Sequence, residues 1–102
     1  LFFGNSSDFQ ELAKQIPATA KCLIIRMGKV PYLDQSGLYA FEELLLRNNT
    51  QNIKTLFVKL QEQPKVLMGN IDIIPDLVPE ENLFDSFKEA MAYVREHVVD
   101  EG

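Results

Sequence analysis

Apolar and polar positions alternate along the chain in short, well-punctuated blocks. Leu1, Phe2 and Phe3 form an apolar stub closed by Gly4 and Asn5, the pattern of a strand cut at its start. Ser7 and Gln10 stand at capping-box spacing, and Asp8 suits a helix N-terminus. Phe9, Leu12, Ala13 and Ile16 then fall on one helical face, and Pro17 stops the run. Residues 22–27 are nearly continuously apolar and β-branched at their centre. With Lys21 and Gly28 as flanks they read as a strand covered on both faces. After the connector from Lys29 to Leu33 comes the turn Asp34, Gln35, Ser36, Gly37. Leu38, Phe41, Leu44 and Leu45 make the next helical stripe, and residues 48–52 carry polar loop chemistry.

The second half repeats the alternation. Residues 53–60 read as another strand. Pro64, an acceptable first helical residue, opens a short helix through Met68, and Gly69 is placed to end it. Residues 71–79, broken by Pro75 and Pro79, read as an ordered connector. Leu83 and Phe84 suit a very short strand. Ser86 and Glu89 form a second capping box, before the cleanest stripe in the chain: Phe87, Ala90, Met91, Val94 and Val98. The tail Asp100, Glu101, Gly102 should fray. Strand–helix alternation of this kind predicts an α/β domain: a small, mostly parallel sheet of about four to five strands with the connecting helices packed on it.

Composition narrows the function classes. The chain has 102 residues, a length for one domain, and 46% of them are apolar, enough for a core and too many for a disordered chain. Net charge is −5, whereas a nucleic-acid module carries a basic face. A spanning helix needs about 20 apolar residues, and no run approaches that. Cys22 is the one cysteine, so neither an internal disulfide nor a cysteine-based metal cluster can form; in its apolar run it reads as a small buried hydrophobe.

Conventional catalysis finds little support. His97 is the only histidine and reads as a surface or capping residue near the end of the last helix. Glu42 with Glu43, and Glu80 with Glu81, are adjacent in sequence and therefore point to different sides of an element. Gly28 and Gly37 lack the Lys-Ser/Thr pairing of a phosphate loop, and the aspartates are too scattered to bind metal. Catalytic and metal-binding residues are therefore not assigned, and no cofactor is expected.

One place is chemically distinct: Asp34, Gln35, Ser36 and Gly37 lie after a strand and before a helix, where functional loops gather in open α/β sheets. Ser36 would offer its hydroxyl beside free backbone N–H groups at a helix N-terminus. The structural alternative is that Asp34 or Ser36 simply caps the helix while Gly37 lets the turn close.

At this turn the chain resembles the STAS domains shared by sulfate transporters and anti-sigma factor antagonists. The run Val30, Pro31, Tyr32, Leu33, Asp34, Gln35, Ser36, Gly37, Leu38 is similar to the family's strand, Asp-Ser-Ser/Thr-Gly-type loop and Gly-Leu helix start. Phe84 with Ser86, Phe87, Glu89 and Ala90 looks like its closing segment. Within the family, the opening Leu1, Phe2, Phe3, Gly4, Asn5 and the variant Gln35 resemble the STAS domains appended to bacterial SulP anion transporters. Antagonists more often carry two adjacent serines; Ser36 matches the second, which is phosphorylated by a partner kinase, and Gln35 replaces the first.

The resemblance implies a single STAS domain over residues 1–102, excised from a longer membrane transporter and lacking its first strand residues. It implies a non-catalytic regulatory and interaction module on the cytoplasmic face of the plasma membrane, with the transporter's own transmembrane domain and a cytoplasmic regulatory protein as partners. The 34–37 turn is its candidate phospho-acceptor or regulatory loop. The alternative is a stand-alone antagonist switched by phosphorylation of Ser36; a small enzyme is a third class. The family also admits a nucleotide at this loop, although the sequence shows no phosphate-gripping pattern. Nucleic acid and direct membrane insertion are not expected.

Overall fold

A computed structural model describes residues 14, 16 and 19–97. The expected stub at Leu1, the first helical stripe apart from Ile16, Val98 and the tail lie outside the described residues. Within them the order is β1 (Cys22–Arg26), α1 (Gln35–Thr50), β2 (Lys54–Val58), α2 (Glu62–Asn70), β3 (Leu83–Phe84) and α3 (Phe87–His97). The sheet has three strands in the order β1–β2–β3, all parallel, against the four to five anticipated. Cys22 pairs with Lys54 and Arg26 with Val58, so β1 and β2 run level along their whole length.

Period-two alternation sends the strands' apolar side chains to both faces, and helices cover both. Ile25 and Phe57 join Phe41, Leu44 and Leu45 of α1, Met68 of α2, and Ile73 and Val78 in the larger core. Leu56 and Val58 turn the other way, onto Ala90 and Val94 of α3, with Cys22 and Ile24 beside them. This is why the strands read as continuous apolar runs. Burial pushes the half-buried Cys22 thiol above its ordinary 9.0, with Lys54 opposing more weakly, which disfavours the thiolate. No helix is long and apolar enough, among the described residues, to cross a membrane.

Several features differ from the sequence reading. Helix α1 continues through the expected 48–52 loop as far as Thr50, because Asn48 is buried and its Nδ2 donates to Thr55 Oγ1 at 3.1 Å. Helix α2 begins at Glu62, which places Pro64 third; a first-turn residue has no intrahelical N–H partner to lose, so Pro fits there too. Gly69 lies inside that helix. The 71–79 connector is part of the core: it makes a wide turn over Ile73–Leu77, closed by Val78 N–H to Ile73 O at 2.9 Å, and buries Ile73, Ile74 and Val78. In α3, Ala90 and Val94 are buried while Phe87 is exposed, so the stripe is narrower than its spacing implied.

Candidate functional site

All three strands point the same way, so the connectors leaving β1, β2 and β3 meet at one carboxyl edge. The β1–α1 connector crosses it. Val30 N–H closes a turn onto Met27 O at 3.1 Å, and Val30 and Leu33 bury their side chains in the core. Asp34, extended at φ −85° and ψ 174°, is the cap of α1: its Oδ1 accepts from Gly37 N–H at 2.7 Å. That decides between the two capping candidates. Ser36, released from capping, occupies the second helical position and is exposed, as are Asp34 and Gln35. Gln35 Nε2 reaches the Tyr39 hydroxyl one turn on, at 3.3 Å.

Gly37 sits in a tight space. A Cβ there would lie 3.0 Å from Leu33 Cδ1 and 3.2 Å from the capping Asp34 Oδ1, so a side chain would press on the cap that holds the turn. The four candidate residues are thus brought together with distinct tasks. Asp34 and Gly37 build the turn, and Gln35 and Ser36 face outward from it. His97 is remote: α3 starts at the carboxyl edge and runs away from it, which puts His97 about 15 Å along the helix. Its ring stacks on Tyr93, with centroids 4.3 Å apart.

Two residues that the sequence did not single out fasten the loop. Gln63 Oε1 accepts from Leu33 N–H at 2.8 Å and its Nε2 donates to Leu33 O at 3.1 Å, while Gln61 Nε2 donates to Gly28 O at 2.7 Å. A glutamine at the start of a helix looks like ordinary solvated chemistry, and only the tertiary pairing reveals its task. Beside the clamp, Tyr32, Leu33, Gln35, Tyr39 and Leu67 border an open groove of about 340 Å³. Replacing Gln63 by alanine should unfasten both backbone groups of Leu33. We expect a loss of about 1–2 kcal/mol in urea unfolding, with amide shifts concentrated at residues 32–36. Unchanged shifts there would count against the clamp.

The family model for the STAS domain matches residues 1–90. The chain belongs to the STAS family. The "Putative sulfate transporter YvdB" of Bacillus subtilis (strain 168) is 30% identical over 90 residues, covering 87% of this chain and 17% of that protein. The chain therefore spans about a sixth of the length of that relative. Two solved structures share the fold. A sulfate transporter family protein from Wolinella succinogenes matches with a TM-score of 0.79 at 23% identity, over 93% of this chain and 81% of its own. The SulP transporter STAS domain from Vibrio cholerae matches with a TM-score of 0.75 at 23% identity, over 93% and 73%. In this STAS domain, then, the turn that suggested the family from sequence is a capped, clamped loop on the carboxyl edge of the sheet.

Proposed function

We propose that this STAS domain is a non-catalytic regulatory and interaction module of a SulP-type anion transporter, held at the cytoplasmic face of the membrane by its own transmembrane part. The observation that carries the reading is the match to a relative named as a sulfate transporter, in which the matched region is a small fraction of the length. The loop geometry agrees with an interaction task. Its backbone is fixed from within by Asp34 and from outside by Gln61 and Gln63, while Gln35, Ser36 and Tyr32 remain exposed. The carboxylate of the turn, Asp34, is engaged in capping the Gly37 N–H, which supports recognition over turnover.

An antibody to the domain, applied to fractionated source cells, tests this. A membrane-bound polypeptide several times 11.6 kDa is expected. A soluble species near that mass would overturn it.

The second reading, a stand-alone anti-sigma factor antagonist, is favoured by one observation: Ser36 is exposed at the start of α1. A phosphate there would add about −1.5 to −2 charge at a helix end that favours anions, beside the carboxylate of Asp34. On this reading, incubation with an anti-sigma kinase adds one phosphate to Ser36, and Ser36→Asp abolishes partner binding. An unchanged intact mass, or full binding by the variant, rejects it.

A further inference from the structure

A second feature of the carboxyl edge lies apart from the 34–37 turn. Between the ends of β1 and β2 and the start of α3 there is a cleft of about 610 Å³. Arg26, Lys29 and Lys59 line it, together with Gly28, Ser86 and Phe87, and no acidic residue does. In a chain of net charge −5 this is a local reversal of sign. Two other clefts among the described residues show no such bias: the groove beside Tyr32 has no charged lining residue, and the one at the amino edge sets Lys54 against Asp76 and Glu81.

Two of the three cations are also held in place. Arg26 lays its guanidinium over the Phe87 ring, 4.7 Å from the centroid. Lys59 N–H bonds Phe84 O at 2.8 Å, and its stem runs past Gly28, where a Cβ would already lie 3.4 Å from Lys59 Cδ. Lys59 sits at φ 57°, in the left-handed region where glycine is favoured over lysine. The chain thus places a cation, at some conformational cost, at a position where glycine would be easier. Ser86 Oγ is occupied in accepting Glu89 N–H at 3.1 Å, so it shapes the rim without carrying the charge.

We propose that this basic cleft binds a doubly charged tetrahedral oxyanion group, a phosphate or sulfate, either free or carried on a lipid headgroup. Three cations converging from two strand ends, with no carboxylate among the residues lining the cleft, suit a compact dianion. The site is independent of the transporter and antagonist readings.

Backbone amide spectra of the chain titrated at constant ionic strength with sodium phosphate, with sodium sulfate and, separately, with vesicles containing phosphatidic acid, whose phosphomonoester can carry two charges, test it. Saturable shifts at Gly28, Lys29, Lys59, Ser86 and Phe87 are expected. The double variant Lys29→Gln, Lys59→Asn should weaken binding about tenfold or more; asparagine tolerates the left-handed backbone, so the fold is kept. Lys65→Gln, on the outside of α2, should bind as the parent does. Saturation by the free anions identifies a soluble ligand, and saturation by the phosphatidic acid vesicles alone identifies a headgroup. No saturation with any probe, shifts spread over all lysines, or parental binding by the double variant overturns the proposal.

Discussion

Phe57→Ala is expected to lower the unfolding free energy of this domain by about 3–5 kcal/mol. Phe57 is fully buried on β2, the only described strand with a neighbour on each side, and it meets the edge of Phe41 with centroids 5.6 Å apart and planes at 78°. The side chain therefore joins the sheet to α1, and its removal leaves a cavity between two layers that cannot close without shifting one of them. A domain of this size has about 5–15 kcal/mol in total, so the variant should stand near the threshold of folding. Urea unfolding should show a lower midpoint with an unchanged slope. Phe57→Leu, which keeps most of the volume, should lose much less, and equal losses for the two would mean that the ring's shape, not its bulk, matters here.

The next largest effect is expected at Asn82, which is 5% exposed and donates from Nδ2 to Thr55 O at 3.0 Å. Its task follows from the register. β3 pairs only with Phe57 and Val58, so the Thr55 carbonyl faces the β3 side before that ladder begins. Asn82 supplies the missing donor from the residue just ahead of β3. Asn82→Ala leaves a buried carbonyl unpaired and should cost about 1–3 kcal/mol. Asn82→Asp keeps the shape and buries a carboxylate instead. Its folded-state pKa would rise above the unfolded value, so its deficit should be largest at neutral pH and shrink as pH falls toward about 4. A pH-independent deficit would show that the carboxylate escapes to water.

Legibility from sequence followed the kind of information each element uses. β1, β2, β3 and the interior of α1 were readable because apolar spacing alone specifies them. The end of α1 was not, since Asn48 is a loop former by propensity and its buried bond to Thr55 is invisible in the local sequence. The 71–79 segment looked like punctuation because of its prolines, yet Ile73, Ile74 and Val78 close the larger core. At the loop, residue types located the turn but could not choose between Asp34 and Ser36 as cap; a 2.7 Å bond did. Gln61 and Gln63 were illegible because their partners lie about thirty residues away. The basic cleft escaped for the same reason: Arg26, Lys29 and Lys59 converge only when two strands are laid side by side.

The double bond between Gln63 and Leu33 bears on how a partner is met. A connector usually fluctuates and must be immobilised on contact, at about 1–2 kcal/mol for each backbone ordered. Here one amide side chain offers a donor and an acceptor to Leu33 as a neighbouring strand would, and the connector inherits the stiffness of α2. A protein docking over Tyr32 and Ser36 would find the surface already in its bound shape and lose little freedom in the act. Recognition at this edge should therefore be quick to form and sensitive to small changes of contour, more like a key on a rigid lock than a hand closing.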